Sequence, residues 1–158
     1  MSATVTAFTI PPVVKQVTVR CAPATAFRVF AADIGKWWPL SQFSLTGAAD
    51  CRFEPFVGGR LFEVGADGTE PVWGRVLAWD PPNALAFSWQ VMCREDEAQR
   101  IDVSFRAIEG GTEVTLTHAG WDRLESRGAE RRDEYNGGWV LVFEQCFKAY
   151  ADQAGDGE

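Results

Sequence analysis

Few side chains in this sequence have the type and setting to do chemistry. The only histidine, His118, stands in "LTHAGWDRL" at the end of a run in which Val114, Leu116 and His118 share period-two spacing. An unbroken strand turns these three side chains to one face, which their apolar character marks as the inner one. An inward imidazole could serve as general acid or base, or hydrogen-bond a guest's carbonyl or hydroxyl. The competing reading is a neutral imidazole satisfied by a backbone carbonyl or an indole N–H, because no acid is placed beside it by spacing to orient it. Arg75, in "WGRVLAW", has the parity of Trp73, Leu77 and Trp79; facing inward, it would need a carboxylate or an anionic head group. The opposite parity, Gly74, Val76 and Ala78, could equally face inward. Cys21, Cys51, Cys93 and Cys146 form no CxxC pair, and one histidine cannot complete a zinc ligand set, so no metal is expected. A nucleophilic Cys51 or Cys93 would lack both a histidine and a cationic setting. No GxSxG, phosphate-loop, dinucleotide or HExxH pattern occurs, and no cofactor is expected.

What the sequence does supply is aromatic surface: seven tryptophans and eleven phenylalanines. Such rings suit the walls of a site for an apolar or aromatic guest, although any one ring can equally be plain core. Trp37 and Trp38 are adjacent, so one is expected in the core and the other at the surface, as a lid over a cavity mouth or a plug on a sheet edge.

The elements that would position these residues follow from periodicity. Val13 to Cys21 alternates as a strand, Pro23 opens a helix carrying Phe27, Phe30, Ala31 and Ile34, and Gly35 and Pro39 end it. Six further strand-like runs follow, among them "RLFEV", "VWGRVLAW", "RIDVSFRAI" and "TEVTLTHAG", separated by Gly-Gly, Asp-Gly and Pro-Pro turns. Short turns imply antiparallel neighbours in one curved sheet. Arg52, Glu54, Arg60 and Glu63 are expected to pair across strands on its wet face. The charged stretch "ESRGAERRDEY" reads as a solvated loop or the wet start of a helix. Trp139, Val142, Phe143, Cys146, Phe147 and Tyr150 then mark the apolar stripe of a terminal helix of about twenty residues, ~30 Å long. Gly137 and Gly138, near its beginning, each cost about 1 kcal/mol relative to alanine. Either a close approach to the sheet or space left for a ligand would justify them.

The expected fold is therefore α+β: a curved antiparallel sheet of about six or seven strands wrapped round a long C-terminal helix, with a short helix after the first strand. One domain is expected over residues 1–158, with its core at about 14–152 and flexible ends. A formal net charge of −7 and a pI near 4.8 disfavour nucleic acid and anionic membranes. The opening "MSATVTAFTIPPVV" has neither a cationic start nor an unbroken apolar core, and a cytoplasmic location is expected.

The words "FEPFVGGRLFEV", "WGRVLAWDPPNALAFSWQ", "EVTLTHAGW" and "GGWVLVFEQCFKAY", in that order, resemble the SRPBCC or START-like (Bet v 1-like helix-grip) superfamily. Within it the chain is similar to the AHSA1-like branch, related to the activator of Hsp90 ATPase homologue. The resemblance implies a deep cavity between sheet and terminal helix that takes hydrophobic molecules, and no particular reaction. The leading expectation is binding of a hydrophobic or aromatic small molecule by Trp38, Phe53, Trp73, Arg75, Trp89, Phe105, His118, Trp139 and Phe143. Two alternatives stand beside it: a cyclase- or hydrolase-type enzyme using His118 as acid or base, and a stress-related, co-chaperone-like interaction module. In the last case an exposed sheet face or the Trp37-Trp38 segment would meet a partner protein or a second copy, forming a homodimer.

Overall fold

A computed structural model describes residues 10–156; the expectations for the opening segment and the extreme ends lie outside the described residues. The element order is β1 (Val13–Val19), α1 (Pro23–Ala31), α2 (Ile34–Trp37), then β2 (Asp50–Phe53), β3 (Arg60–Val64), β4 (Val72–Asp80), β5 (Ala84–Trp89), β6 (Gln99–Ile108) and β7 (Gly111–Ala119). A 3₁₀ turn at Trp121–Arg127 leads into α3 (Gly128–Trp139), which runs on through a π-helical stretch at Val140–Phe147 into α4 (Lys148–Asp156).

The seven strands form one antiparallel sheet in the order β1-β7-β6-β5-β4-β3-β2. β2 to β7 pair in sequence order, as their short turns require, while β1 closes on β7 with Val17 opposite Val114 and Val13 opposite His118. In β6 and β7 alternate residues are buried: Ile101, Val103 and Phe105 on one strand, Val114, Leu116 and His118 on the next. This is the period-two geometry of a half-buried sheet.

β4 departs from that rule. Its register slips opposite Leu61 and Phe62, and again between Val76 and Ala78. A bulge puts two residues of one strand against one of the next and so resets which side chains face inward. Trp73 is consequently buried and Trp79 half-buried against Phe27 and Phe53, while Arg75 and Leu77 between them are exposed. Neither uniform parity is realised, and Arg75 is not an inward charge.

The sheet grips the terminal rod over a core of rings. Phe30 of α1 lies 5.3 Å from Trp37 and 5.4 Å from Phe147, and Phe143 stacks on Phe147 at 5.3 Å. The rod's most buried residues, Trp139, Phe143, Phe147 and Ala151, recur every four positions. A four-residue step drifts round an ideal α-helix, and the wider π-helical turns compensate for that drift, keeping the stripe on the sheet. Around Phe30 the interior is filled by side chains. Toward α3 it is not.

Candidate functional site

A pocket of about 450 Å³ opens between α3, the ends of β4 and β5, and the loop after α2. Its walls include Trp38, Trp73, Trp89 and Trp139, joined by Tyr135, Val142, Phe43 and Leu45. Trp38 stands 5.1 Å from Trp73, 5.9 Å from Trp89 and 5.8 Å from Trp139, so the four indoles form one cluster.

Each indole N–H in that cluster is already committed to the protein. Trp38 Nε1 donates to the Phe43 carbonyl (2.8 Å), Trp73 to Glu63 (2.8 Å), Trp89 to the Tyr135 hydroxyl (2.8 Å) and Trp139 to His118 Nδ1 (3.1 Å). What the four rings can offer a guest is therefore hydrocarbon and π surface. The Tyr135 hydroxyl accepts from Trp89 and donates to no described residue, which leaves its proton for a ligand acceptor. Burial pushes the Tyr135 pKa up, so the phenol stays protonated at neutral pH.

His118 lies behind this wall. It is fully buried, and its two ring nitrogens are both engaged. Because an indole only donates, Nδ1 must be the acceptor; the ring proton then sits on Nε2, facing Gln99 Oε1 at 3.3 Å. Gly120, with φ of 96°, turns the chain out of β7 so that Trp121 folds back and packs against the imidazole, its ring centroid 4.1 Å away and its plane tilted by 34°. Burial drives the imidazole pKa down from 6.5 to about 3. This is the neutral imidazole held by an indole, not one open to a guest.

The loop at the pocket mouth is held by Glu63, which sequence reasoning put on the wet face. It is fully buried, and its carboxylate accepts from the backbone N–H of Leu45 (2.7 Å) and Thr46 (2.7 Å), the Thr46 hydroxyl (2.6 Å) and Trp73 Nε1. Burial alone would raise its pKa; the hydrogen bonds outweigh it and hold the carboxyl below the usual range. Of the other charged residues expected there, Arg60 pairs half-buried with Glu54 at 3.0 Å and reaches Glu70 at 3.2 Å, while Arg52 pairs with Asp50 of its own strand at 2.9 Å rather than across strands. On the far lip, Met92 (φ 60°) gives its carbonyl to Arg131 of α3 at 3.4 Å.

Gly138 also lines the pocket, and a Cβ built on it or on Gly137 would meet nothing within 4 Å. The close-approach explanation for these glycines fails, and at Gly138 the open space belongs to the pocket. All four cysteines are free, and burial, with Asp50 and Glu63 nearby, pushes the Cys51 thiol far up, away from any nucleophilic form. No group of side chains suited to a metal ion occurs among the described residues, and no described helix is long and apolar enough to cross a membrane.

The family model for Activator of Hsp90 ATPase homolog 1-like protein matches residues 20–153. The chain belongs to the AHSA1-like family. Its helix-grip fold is that of its relatives, and family members bind small hydrophobic ligands. Among solved structures it is similar to an anthrahydroquino-γ-pyrone synthase, Txn09, complexed with SUM, at 36% identity over 92% of this chain and 96% of that one, with a TM-score of 0.59. It is also similar to CalC, a self-sacrificing resistance protein from Micromonospora echinospora, at 25% identity over 94% and 99% of the two chains (TM-score 0.68). An AHSA1-like protein from Aeromonas hydrophila shares the fold at 20% identity over 91% and 94% (TM-score 0.65). No curated protein matches the chain.

Of the residues singled out in this AHSA1-like sequence, Trp38, Trp73, Trp89 and Trp139 meet at the pocket. Phe105 and Phe143 pack in the filled part of the core, against Phe27 (5.2 Å) and Phe147 respectively. Phe53 lines a different pocket, Arg75 points to solvent, and His118 backs the wall. Trp37 and Trp38 are both buried, so neither acts as a surface lid; the loop at Gln42–Leu45 covers the mouth instead. Tyr135 was missed because it lies in a highly charged stretch. Its spacing of four from Trp139 was the available signal.

Proposed function

We propose that this protein binds a hydrophobic, polycyclic aromatic small molecule in the four-tryptophan pocket, with the Tyr135 hydroxyl donating to a carbonyl or hydroxyl oxygen of the guest. One observation carries the reading: every indole N–H in the wall is consumed by the protein, leaving flat apolar faces beside the uncommitted phenol proton of Tyr135. The volume, about 450 Å³, falls within the roughly 300–1,000 Å³ of small-molecule sites. The name of the 36% identical synthase, whose product word denotes a fused aromatic system, supports the same ligand class.

That relative also favours a second reading, an enzyme that folds a reactive aromatic precursor within the pocket. In such an enzyme Tyr135 would be the proton donor, and His118 would act through Trp139 as a positioning residue. The exposed Phe43, Leu45 and Met92 are accounted for as the rim of the pocket without a partner protein.

The test is titration with 1,8-dihydroxyanthraquinone followed by tryptophan fluorescence and native mass spectrometry. Saturable quenching with one bound molecule is expected, and its loss in Gly138→Leu would place the guest. Absence of binding across hydroxyanthraquinones, anthracene and anthraquinone would overturn the proposal.

A further inference from the structure

A second pocket, of about 660 Å³, shares no lining residue with the first. It is bounded by α1, the end of β2 and the turn from β4 to β5. Its floor is aromatic: Trp79 meets Phe27 edge-on at 5.2 Å and lies 6.3 Å from Phe53. Small or ring-shaped side chains, among them Ala31, Pro55 and Pro82, leave that floor uncovered.

Two features make this more than an apolar dent. Six of the seven tryptophans donate their indole N–H to a protein acceptor, at Trp37, Trp38, Trp73, Trp89, Trp121 and Trp139. Trp79, which lines this pocket, has no acceptor among the described residues. In addition, both charged side chains in the lining are arginines, Arg28 and Arg52. Arg28 makes no ion pair with any described residue, and Arg52 engages Asp50 through Nε alone at 2.9 Å, leaving its terminal nitrogens free. In a chain of net charge −7, the unpaired Arg28 and the terminal nitrogens that Arg52 keeps beyond its pair with Asp50 give this pocket donors suited to an anion. A guanidinium fork matches a carboxylate, and an aromatic floor takes a flat ring.

We infer that this pocket is a second, separate ligand site, for an aromatic carboxylate whose ring lies against Trp79 and Phe53 and whose carboxylate is held by Arg28 and Arg52. The inference does not depend on what the four-tryptophan pocket binds.

The probe is 2-naphthoate, with 2-naphthylmethanol as its uncharged counterpart, titrated into ¹⁵N-labelled protein while the seven indole N–H resonances are followed. The Trp79 signal is identified by its loss in Trp79→Phe. Naphthoate is expected to shift the Trp79 resonance saturably, and to bind at least about tenfold more tightly than the alcohol. The double variant Arg28→Gln/Arg52→Gln, checked for an unchanged melting temperature, should lose at least about tenfold in naphthoate affinity with the alcohol unaffected. Shifts confined to Trp38, Trp73, Trp89 and Trp139 would place the acid in the first pocket alone and overturn the inference. So would equal affinity for acid and alcohol, or a double variant that binds naphthoate as well as the parent.

Discussion

Substitution at Gly138 separates the pocket from the helix that carries it. Gly137 and Gly138 both sit in α3 with open space where a Cβ would go, but only Gly138 lines the pocket. Replacing glycine by alanine inside a helix is worth about 1 kcal/mol when nothing clashes. For a chain of this size that raises the melting temperature by roughly 2–4 °C. Gly137→Ala and Gly138→Ala should both show this gain in thermal unfolding followed by circular dichroism. Their effects on ligand affinity should differ, since the methyl group at 137 enters solvent and the one at 138 enters the site. Gly138→Leu carries the argument further, because forcing four extra carbons against a bound guest costs about 1–3 kcal/mol, or about 5- to 150-fold in affinity. Fluorescence titration with 1,8-dihydroxyanthraquinone reads that loss directly. The reasoning is refuted if Gly138→Leu binds as well as the parent, or if Gly138→Ala lowers the melting temperature while Gly137→Ala raises it.

Tyr135→Phe removes the phenol proton and also releases Trp89 Nε1 from its acceptor. It should leave anthracene binding nearly intact and cut the preference for anthraquinone over anthracene by about 3- to 10-fold; an unchanged ratio with no anthraquinone-dependent shift of the freed Trp89 N–H resonance would remove Tyr135 from the orienting role. Glu63→Gln leaves at least one of its buried donors unpaired, at about 1–3 kcal/mol, and should speed amide hydrogen exchange at Leu45 and Thr46. Unaltered exchange there would show that the carboxylate does not hold the loop. His118 gives a pH signature: between pH 6.5 and about 3 the unfolded chain binds a proton that the folded chain refuses, so folding stability must fall as pH falls. The slope is about 1.4 kcal/mol per pH unit, so urea unfolding should lose about 2 kcal/mol between pH 7 and pH 5, before the depressed Glu63 carboxyl begins to contribute. A flat profile over that range would contradict the buried neutral imidazole.

Local pattern carried most of the architecture. Strand alternation in "RIDVSFRAI" and "TEVTLTHAG", turn residues between the strands and the apolar stripe from Trp139 each express a rule that a short stretch of chain obeys by itself. For that reason the seven strands and the terminal helix were legible, as was the inward aim of His118, which needs only an unbroken β7. Arg75 was not legible because parity counting assumes a regular strand, and β4 slips register twice against neighbours far away in sequence.

The same limit governs the site. The amino-acid sequence by itself determined the material of the wall, its tryptophans, and the glycine at 138 that leaves room beside it. Only tertiary structure decided that Glu63 is buried, because its four donors come from a loop and a strand that it meets only on folding. Likewise His118 became a bracket for Trp139 rather than an open imidazole, since the indole that occupies its acceptor nitrogen arrives from a helix 21 residues further along. Hydrogen-bond satisfaction is a property of groups brought together across the chain, and it is this satisfaction that turned polar candidates into scaffold and left one phenol proton facing the pocket.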